Sequence, residues 1–161
     1  MKRTKVSDFA LIALIAAMYA ALTLGIAPLS YGAIQFRFAE ILTLLCFYRK
    51  QYGYALILGC AISNLFSPLG PLDMLFGVAS TVFSVVFIPK MKSLWVASLF
   101  PTISMGLIAW ELKLLGSPFL FSLLTCAIGE FVVVTLLGVP LFLVLEKNRF
   151  FRETILNKHR N

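Results

Sequence analysis

Residues 30–45 read SYGAIQFRFAEILTLL and place Gln35, Arg37 and Glu40 in a segment whose flanks are almost wholly apolar. A charged side chain at the centre of a membrane costs about 2.5–3.5 kcal/mol on insertion scales, so such residues tend to face a cavity or a partner. The polar side chains of this stretch therefore indicate a functional site.

The composition of the whole chain is that of an integral membrane protein. Of its 161 residues, 60% are hydrophobic and only 13% are charged, and the mean hydropathy is +0.94. Soluble domains average about 25% charged residues. The net charge of +7 comes from basic residues that flank apolar runs, where they report membrane topology. We therefore expect membrane lipid around the chain and no nucleic acid as a partner.

Apolar runs separated by Gly, Pro and charged residues predict six transmembrane helices in one membrane domain, residues 1–161. The predicted helices cover residues 8–27, 38–48, 52–66, 72–88, 94–112 and 118–146. The first follows a basic start, MKRTK, and resembles a secretory signal, but its length and the apolar sequence after it predict a retained helix. The second is too short to cross upright, so we expect it to be tilted or partly embedded.

The positions of Lys and Arg predict the orientation of this all-α bundle. With six spans, 12 of the 14 basic residues fall on one side of the membrane. The positive-inside rule makes that side cytoplasmic, together with both termini and a tail at 147–161.

The acidic residues show the opposite asymmetry. Four of the seven acids are assigned to the outer half, against two basic residues. The acids are Glu40, Asp73, Glu111 and Glu130, and the bases are Arg37 and Lys113. The outer half is therefore predicted to hold an acidic polar pocket.

Each of these residues also has a structural interpretation. Arg37 and Glu40 are three positions apart on one helix face, so they could simply neutralise each other. Glu130 lies about twelve residues into the last helix with no basic neighbour, and we expect it to face a ligand. The alternative is a structural carboxylate hydrogen-bonded to another helix.

Five further side chains have two interpretations each. Asp73 either belongs to the pocket or caps the helix that begins beside it. Asn64 either contacts a ligand or forms a helix cap or an interhelical hydrogen bond. Gln35 and Tyr31 either cover the pocket as a lid or anchor the chain at the interface. Glu111 is as consistent with a solvated rim as with a site.

A stripe of alanines marks one face of the first helix. Ala13, Ala17 and Ala21 recur every four residues, so another helix can approach closely, either within the bundle or from a separate membrane subunit. Similar stripes of small residues in the third and fourth helices are predicted to serve internal packing.

The sequence carries no familiar catalytic or metal-binding motif. GxxxxGK[ST], HExxH and GxSxG are absent, and the chain has one histidine, in NKHRN near its end. Cys46, Cys60 and Cys126 are widely separated in apolar surroundings, which predicts buried core residues and no metal site. We expect neither a cofactor nor an enzyme.

Three segments together carry a family resemblance. The run at 20–45, the turn SNLFSPLGPLD at 63–73 and AIGEF at 127–131 resemble the QueT family, the substrate-binding S components of energy-coupling factor (ECF) transporters for queuosine precursors. The resemblance implies a six-helix S component in a prokaryotic plasma membrane that captures queuine or 7-aminomethyl-7-deazaguanine on the outer face. It also implies docking on a transmembrane coupling subunit driven by two cytoplasmic ATPases.

The resemblance, read with the acidic pocket, suggests roles for the candidate residues. Ala13, Ala17 and Ala21 match an AxxxA docking motif for the coupling subunit. The substrate-binding residues are then Glu130 and Glu40 as polar anchors, Arg37 and Asn64 orienting the base, Gln35 in a gating loop, Tyr31, and Asp73. Either Tyr31 or Phe36 stacks on the ring.

Other functions stay open at this point. S components for riboflavin or thiamine share the fold, and fold alone does not fix the ligand. An intramembrane enzyme using Glu40 and Glu130 as an acid–base pair, or a structural membrane protein without a ligand, is less consistent with the sequence.

Overall fold

The structure is a computed structural model that describes residues 5–30 and 36–156. These residues form helices and connecting turns, with no strand among them. The helices are α1 (Lys5–Gly25), α2 (Ala27–Ser30), α3 (Phe38–Tyr48), α4 (Tyr52–Asn64), α5 (Pro71–Lys90), α6 (Leu94–Leu114), α7 (Phe119–Leu145) and α8 (Phe151–Ile155). The predicted all-α fold is confirmed.

Four helices are long and apolar enough to cross a membrane. They are α1 over Asp8–Gly25, and α5, α6 and α7 over their whole lengths. The remaining two predicted spans correspond to α3 and α4. The 13 residues of α4 rise only about 20 Å, less than the roughly 30 Å of a hydrocarbon core. The count of six spans and the side on which the termini lie stay predictions.

The long helices pack in an order that encloses an interior. α1 packs on α4, α4 on α5, α5 on α6, and α6 on α7, while α3 contacts both α1 and the middle of α7. Hydrogen-bonded serines contribute to the contact between α5 and α6, where the hydroxyls of Ser80 and Ser104 lie 2.7 Å apart. Because α3 closes the arrangement, the side chains of its buried face point into the bundle interior.

The contact between α1 and α4 depends on a glycine. A Cβ atom at Gly59 would lie 2.8 Å from the carbonyl oxygen of Ala16 and 2.8 Å from the Cβ of Tyr19. Contacts shorter than 3.0 Å with backbone atoms cannot be relieved by moving a flexible side chain. Gly59 therefore lets the two helices approach closely and places Tyr19 inside the bundle, with 1% of its surface exposed.

Helix α7 changes its winding directly after Glu130. Residues Phe119–Glu130 are α-helical, Phe131–Gly138 form a π-helical segment, and Val139–Leu145 return to α-helix. Wider π-helical turns occur frequently at functional sites because they redirect the side chains around them. The change of winding falls where α3 packs against α7.

The region assigned to a tail returns to the bundle within the described residues. The hydroxyl of Tyr52 donates a hydrogen bond of 2.6 Å to the carbonyl oxygen of Ile155, and Leu156 is buried. Phe151 packs edge-on against Phe142 of α7. Helix α8 therefore covers one end of the bundle.

The predicted burial of the three cysteines is confirmed. Cys46, Cys60 and Cys126 are all buried and free of disulfide bonds. They fill space between helices as small hydrophobic side chains.

The close approach at Gly59 predicts that Gly59→Ala destabilises the protein by about 1–3 kcal/mol through overpacking. For a chain of this size each kcal/mol lowers Tm by about 2–4 °C. Thermal unfolding of the detergent-purified protein measures the effect.

Gly106→Ala is the matched control. It makes the same change within helix α6, where an added Cβ would meet nothing within 4 Å. Its Tm should be unchanged or higher, because alanine favours helix over glycine. Equal Tm values for both variants would contradict the close approach.

Candidate functional site

Charged side chains from four helices converge inside the bundle. We call Arg37, Glu40, Asp73, Glu111 and Glu130 the acidic cluster. Arg37 immediately precedes α3 and Glu40 lies in its first turn, Asp73 lies in the first turn of α5, Glu111 is in α6, and Glu130 ends the first α-helical part of α7. Each of the five has 4% or less of its surface exposed. Arg37 is bound to Asp73, and the three glutamates are buried on helices α3, α6 and α7 of the same bundle.

Arg37 and Asp73 form the ion pair within this cluster. The Nη2 atom of Arg37 lies 3.1 Å from the Oδ1 atom of Asp73, and both side chains are almost fully buried. The Nε atom of Arg37 also donates to the carbonyl oxygen of Ser30 at 3.4 Å. Arg37 therefore has a partner on α5, beyond the neutralisation of Glu40 that the spacing alone suggested.

Asp73 is not the N-cap residue of helix α5. Gly70 occupies the N-cap position with φ +76°, a backbone conformation that favours glycine, and it makes no side-chain capping bond. Pro71 follows at the first helical position, where its missing N–H is tolerated. The carboxylate of Asp73 is thus available to Arg37, and its Oδ2 atom has no hydrogen-bond partner within the described part of the chain.

Glu40 has a partner that the sequence analysis missed. The hydroxyl of Tyr19, on α1, donates a short hydrogen bond to the Oε1 atom of Glu40. A tyrosine within an otherwise apolar helix was the available signal, because a buried phenol hydroxyl usually finds a polar partner. Tyr19 thus ties the carboxylate of Glu40 to helix α1.

Glu111 and Glu130 are buried carboxyls that have no partner in the described part of the chain. Both side chains have no exposed surface, and neither Oε1 nor Oε2 of either residue has a hydrogen-bond partner among residues 5–30 and 36–156. A buried acceptor left unpaired carries a desolvation penalty of about 1–3 kcal/mol, and more when it is charged. These two groups are the strongest indication that the interior binds something else.

The burial of Glu111 rules out a position on a solvated rim. The nearby Lys113 is exposed instead, and its Nζ atom lies 4.7 Å from the ring centroid of Trp110. Lys113 therefore does not neutralise the acidic cluster. Glu111 belongs with the site residues, although its place near the end of an apolar run left the sequence interpretation open.

Asn64 lies beside the cluster and is committed to an interhelical contact. Its Nδ2 atom donates to the carbonyl oxygen of Asp73 at 3.0 Å and contacts the sulfur of Cys60 at 3.5 Å. A Cβ atom at Gly77 would lie 2.2 Å from this nitrogen, so only glycine leaves room for the amide. Asn64 thus positions the backbone of Asp73, which matches the interhelical alternative for this residue.

Two candidate residues lie outside the described part of the chain. Tyr31 and Gln35 fall in residues 31–35, so their proposed lid stays a prediction. No three His, Cys, Asp or Glu residues within the described ranges are grouped in a way that could hold a metal ion.

The alanine stripe of α1 faces away from the bundle. Ala13, Ala17 and Ala21 are exposed, and the neighbouring Leu14 and Met18 are 54% and 44% exposed. The corresponding small residues of α4, including Ala55 and Gly59, are buried against other helices instead. The stripe of α1 is thus open to contact with lipid or another protein, whereas that of α4 serves internal packing.

Four helices long and apolar enough to cross a membrane, packed around carboxyls that have no partner among the described residues, are the features of a multi-pass membrane protein. The chain belongs to the QueT family, because the family model described as QueT transporter matches residues 9–147. A relative from Lactococcus lactis subsp. cremoris (strain MG1363), named queuosine precursor transporter QueT, is 36% identical over 149 residues, which is 81% of this chain and 88% of the relative. No solved structure matches the chain. Membership of a transporter family argues against the intramembrane enzyme.

The ion pair between Arg37 and Asp73 predicts a large energetic coupling. Arg37→Gln or Asp73→Asn alone should destabilise the protein by about 3–5 kcal/mol, because each leaves a buried charge unpaired. The double variant should be less destabilised than the sum of the two. Free energies of unfolding in detergent micelles complete the double-mutant cycle.

The exposed pair Arg149 and Glu153 provides the control cycle. Its atoms lie 2.9 Å apart at positions i and i+4, and such exposed pairs contribute about 0.3–0.5 kcal/mol. Coupling at Arg37 and Asp73 no larger than in this pair would contradict a buried ion pair.

Proposed function

We propose that the chain is the substrate-binding S component of an ECF transporter and captures a queuosine precursor, queuine or 7-aminomethyl-7-deazaguanine. The observation that carries the proposal is the pair of buried, unpartnered carboxyls of Glu111 and Glu130. Membership of the QueT transporter family and the name of the Lactococcus relative support transport of this class of substrate.

The chemistry of a 7-deazaguanine fits the acidic cluster. The pyrimidine edge of the base presents a ring N–H and an amino group side by side, and a carboxylate accepts two such donors in parallel. Glu130 supplies two free acceptor atoms for this edge. The guanidinium of Arg37 donates hydrogen bonds only, so it suits the carbonyl oxygen of the base.

The neighbouring residues complete the proposed pocket. Glu40, held by Tyr19, contributes a second negative charge beside Glu130. Asp73 and Asn64 keep Arg37 and the start of α5 in place. Tyr31 stacks on the ring and Gln35 belongs to a gating loop in this proposal, because residues 31–35 directly precede Phe36 and Arg37 in the chain.

The proposed topology has six spans in one domain, residues 1–161, with both termini in the cytoplasm and the chain in a prokaryotic plasma membrane. In this arrangement α3 and α4 cross as short or tilted helices. The support is the distribution of Lys and Arg, which six spans bring to one side. The acidic cluster then lies nearer the outer face.

Transport requires partners in this proposal. The sequence lacks the GxxxxGK[ST] motif that binds nucleotide phosphates, so energy comes from two cytoplasmic ATPases through a transmembrane coupling subunit. The exposed alanines of α1 form the docking face, because small side chains let a partner helix approach closely.

The role of Glu130 is tested by Glu130→Gln, which keeps the shape of the side chain and removes its charge. Losing one partner of a buried charged hydrogen bond costs about 2–5 kcal/mol, so affinity for a 7-deazaguanine should fall by about 30-fold or more. Calorimetric titration of the purified protein with 7-aminomethyl-7-deazaguanine, riboflavin and thiamine measures both affinity and ligand class.

Glu146→Gln is the control, because it makes the same change directly after the other end of helix α7. It should bind like the parent chain. Affinity of Glu130→Gln within twofold of the parent would remove Glu130 from the site, and tighter binding of riboflavin or thiamine would replace the proposed substrate.

The docking face is tested by Ala17→Leu, which adds bulk to the exposed stripe without adding charge. We expect loss of co-purification with the coupling subunit and loss of uptake, with ligand binding unchanged. Ala79→Leu makes the same change on the exposed face of α5 and should leave assembly intact. Normal assembly of Ala17→Leu would exclude the stripe as the docking face.

A further inference from the structure

We propose that the site selects for a positive charge on the substrate: Glu111 and Asp73 hold the protonated amine of the 7-substituent, while Glu130 binds the pyrimidine edge of the ring. This inference rests on the proposed function and adds a division of labour among the carboxyls. Both queuine and 7-aminomethyl-7-deazaguanine carry a basic amine on this substituent.

Among the described residues, the interior of the bundle holds more acidic than basic side chains. Among the described residues, the buried charged side chains are four carboxyls and the single guanidinium of Arg37. Asp73 pairs with Arg37, and Glu40 receives the neutral hydroxyl of Tyr19. The carboxyls of Glu111 and Glu130 thus have no cation of their own within residues 5–30 and 36–156. Buried carboxyls without a partner are neutralised by protonation, whereas a ligand that brings a positive charge lets them bind in the ionised form through charge-assisted hydrogen bonds.

The carboxyl oxygens that have no partner among the described residues lie on three helices. Among the described residues, the buried carboxyl oxygens without a hydrogen-bond partner are Oδ2 of Asp73 and both oxygens of Glu111 and of Glu130. Asp73 lies in the first turn of α5, and Glu111 lies near the end of the adjacent helix α6. Glu130 lies on a third helix, α7, directly before the π-helical segment that packs against α3.

The ammonium group and the pyrimidine edge of the substrate present different arrangements of donors, and each suits different carboxyls of the cluster. An ammonium group has three N–H donors pointing in different directions, which suits two carboxyls that approach from two helices. The pyrimidine edge has two parallel donors in one plane, which suit the single carboxylate of Glu130. The reverse assignment would bring a flat edge against two repelling carboxyls and leave one of them unpaired.

The neighbouring elements support the same assignment. Of the two carboxyl oxygens of Asp73, Oδ1 is the one that contacts Arg37. The amide of Asn64 donates a hydrogen bond to the backbone carbonyl oxygen of Asp73 and so holds its backbone in place. The Oδ2 atom therefore stays fixed and free. The other basic residue assigned near this end, Lys113, is exposed and lies over Trp110, so it does not compete for Glu111.

The experiment compares two ligands that differ in the charge of one substituent. Calorimetric titration of the full-length parent chain in detergent uses 7-aminomethyl-7-deazaguanine, which is cationic, and 7-cyano-7-deazaguanine, which is neutral. We expect the cationic ligand to bind about 30-fold more tightly or better. This comparison needs no substitution and therefore does not depend on the folding of a variant.

Variants then assign the preference to a residue. Glu111→Gln should weaken the aminomethyl ligand by about 30-fold and leave the affinity for the cyano ligand unchanged or higher. Retained binding of the cyano ligand shows that the variant is folded. Glu130→Gln should weaken both ligands, and Glu146→Gln neither.

The outcomes separate this inference from the proposed function. Equal affinity of the parent chain for both ligands, or equal weakening of both by Glu111→Gln, would overturn the charge selection while leaving a 7-deazaguanine transporter in place. If neither ligand binds the parent chain, the proposed function fails and this inference fails with it.

Discussion

The main physical constraint in this structure is the burial of two carboxyls that have no partner among the described residues. Glu111 and Glu130 have no exposed surface and no hydrogen-bond partner within the described chain, in a bundle whose outer surface is apolar. Burying such groups costs free energy unless they are hydrogen-bonded, paired with a cation or protonated. Tyr19 and Arg37 are the partners of Glu40 and Asp73. In the proposed function, the ligand is the partner of Glu111 and Glu130.

The helices around this interior are adapted to hold it closed. Gly59 brings α1 against α4, Gly77 leaves room for the amide of Asn64, and the short helix α3 closes the gap between α1 and α7. Small residues serve two purposes in one fold. Those of α4 are buried in helix contacts, whereas the alanines of α1 stay exposed on the outside. The acidic cluster and the exposed alanine stripe of α1 therefore share no residues.

The sequence could predict the charges but not their pairing. Glu40 and Glu130 stand out because carboxylates in apolar runs are costly, and both lie in the acidic cluster. The partner of Arg37 is 36 positions away, and the partner of Glu40 is 21 positions away on a different helix. Spacing along one helix identifies only neighbours that are three or four positions apart. It therefore suggested Glu40 as the partner of Arg37, and it could not identify Tyr19 as the partner of Glu40. Glu111 was ambiguous for the same reason, since its burial depends on how α6 packs.

The most direct measurement of the central claim is native mass spectrometry of the detergent-purified full-length protein after growth in medium supplied with queuosine precursors. We expect one bound molecule per chain, released unchanged on denaturation, with the mass of a 7-deazaguanine that carries an amine. A bound molecule with neither a guanine-like edge nor a positive charge, or no bound molecule at all after this supply, would contradict the assignment of the acidic cluster as the substrate site.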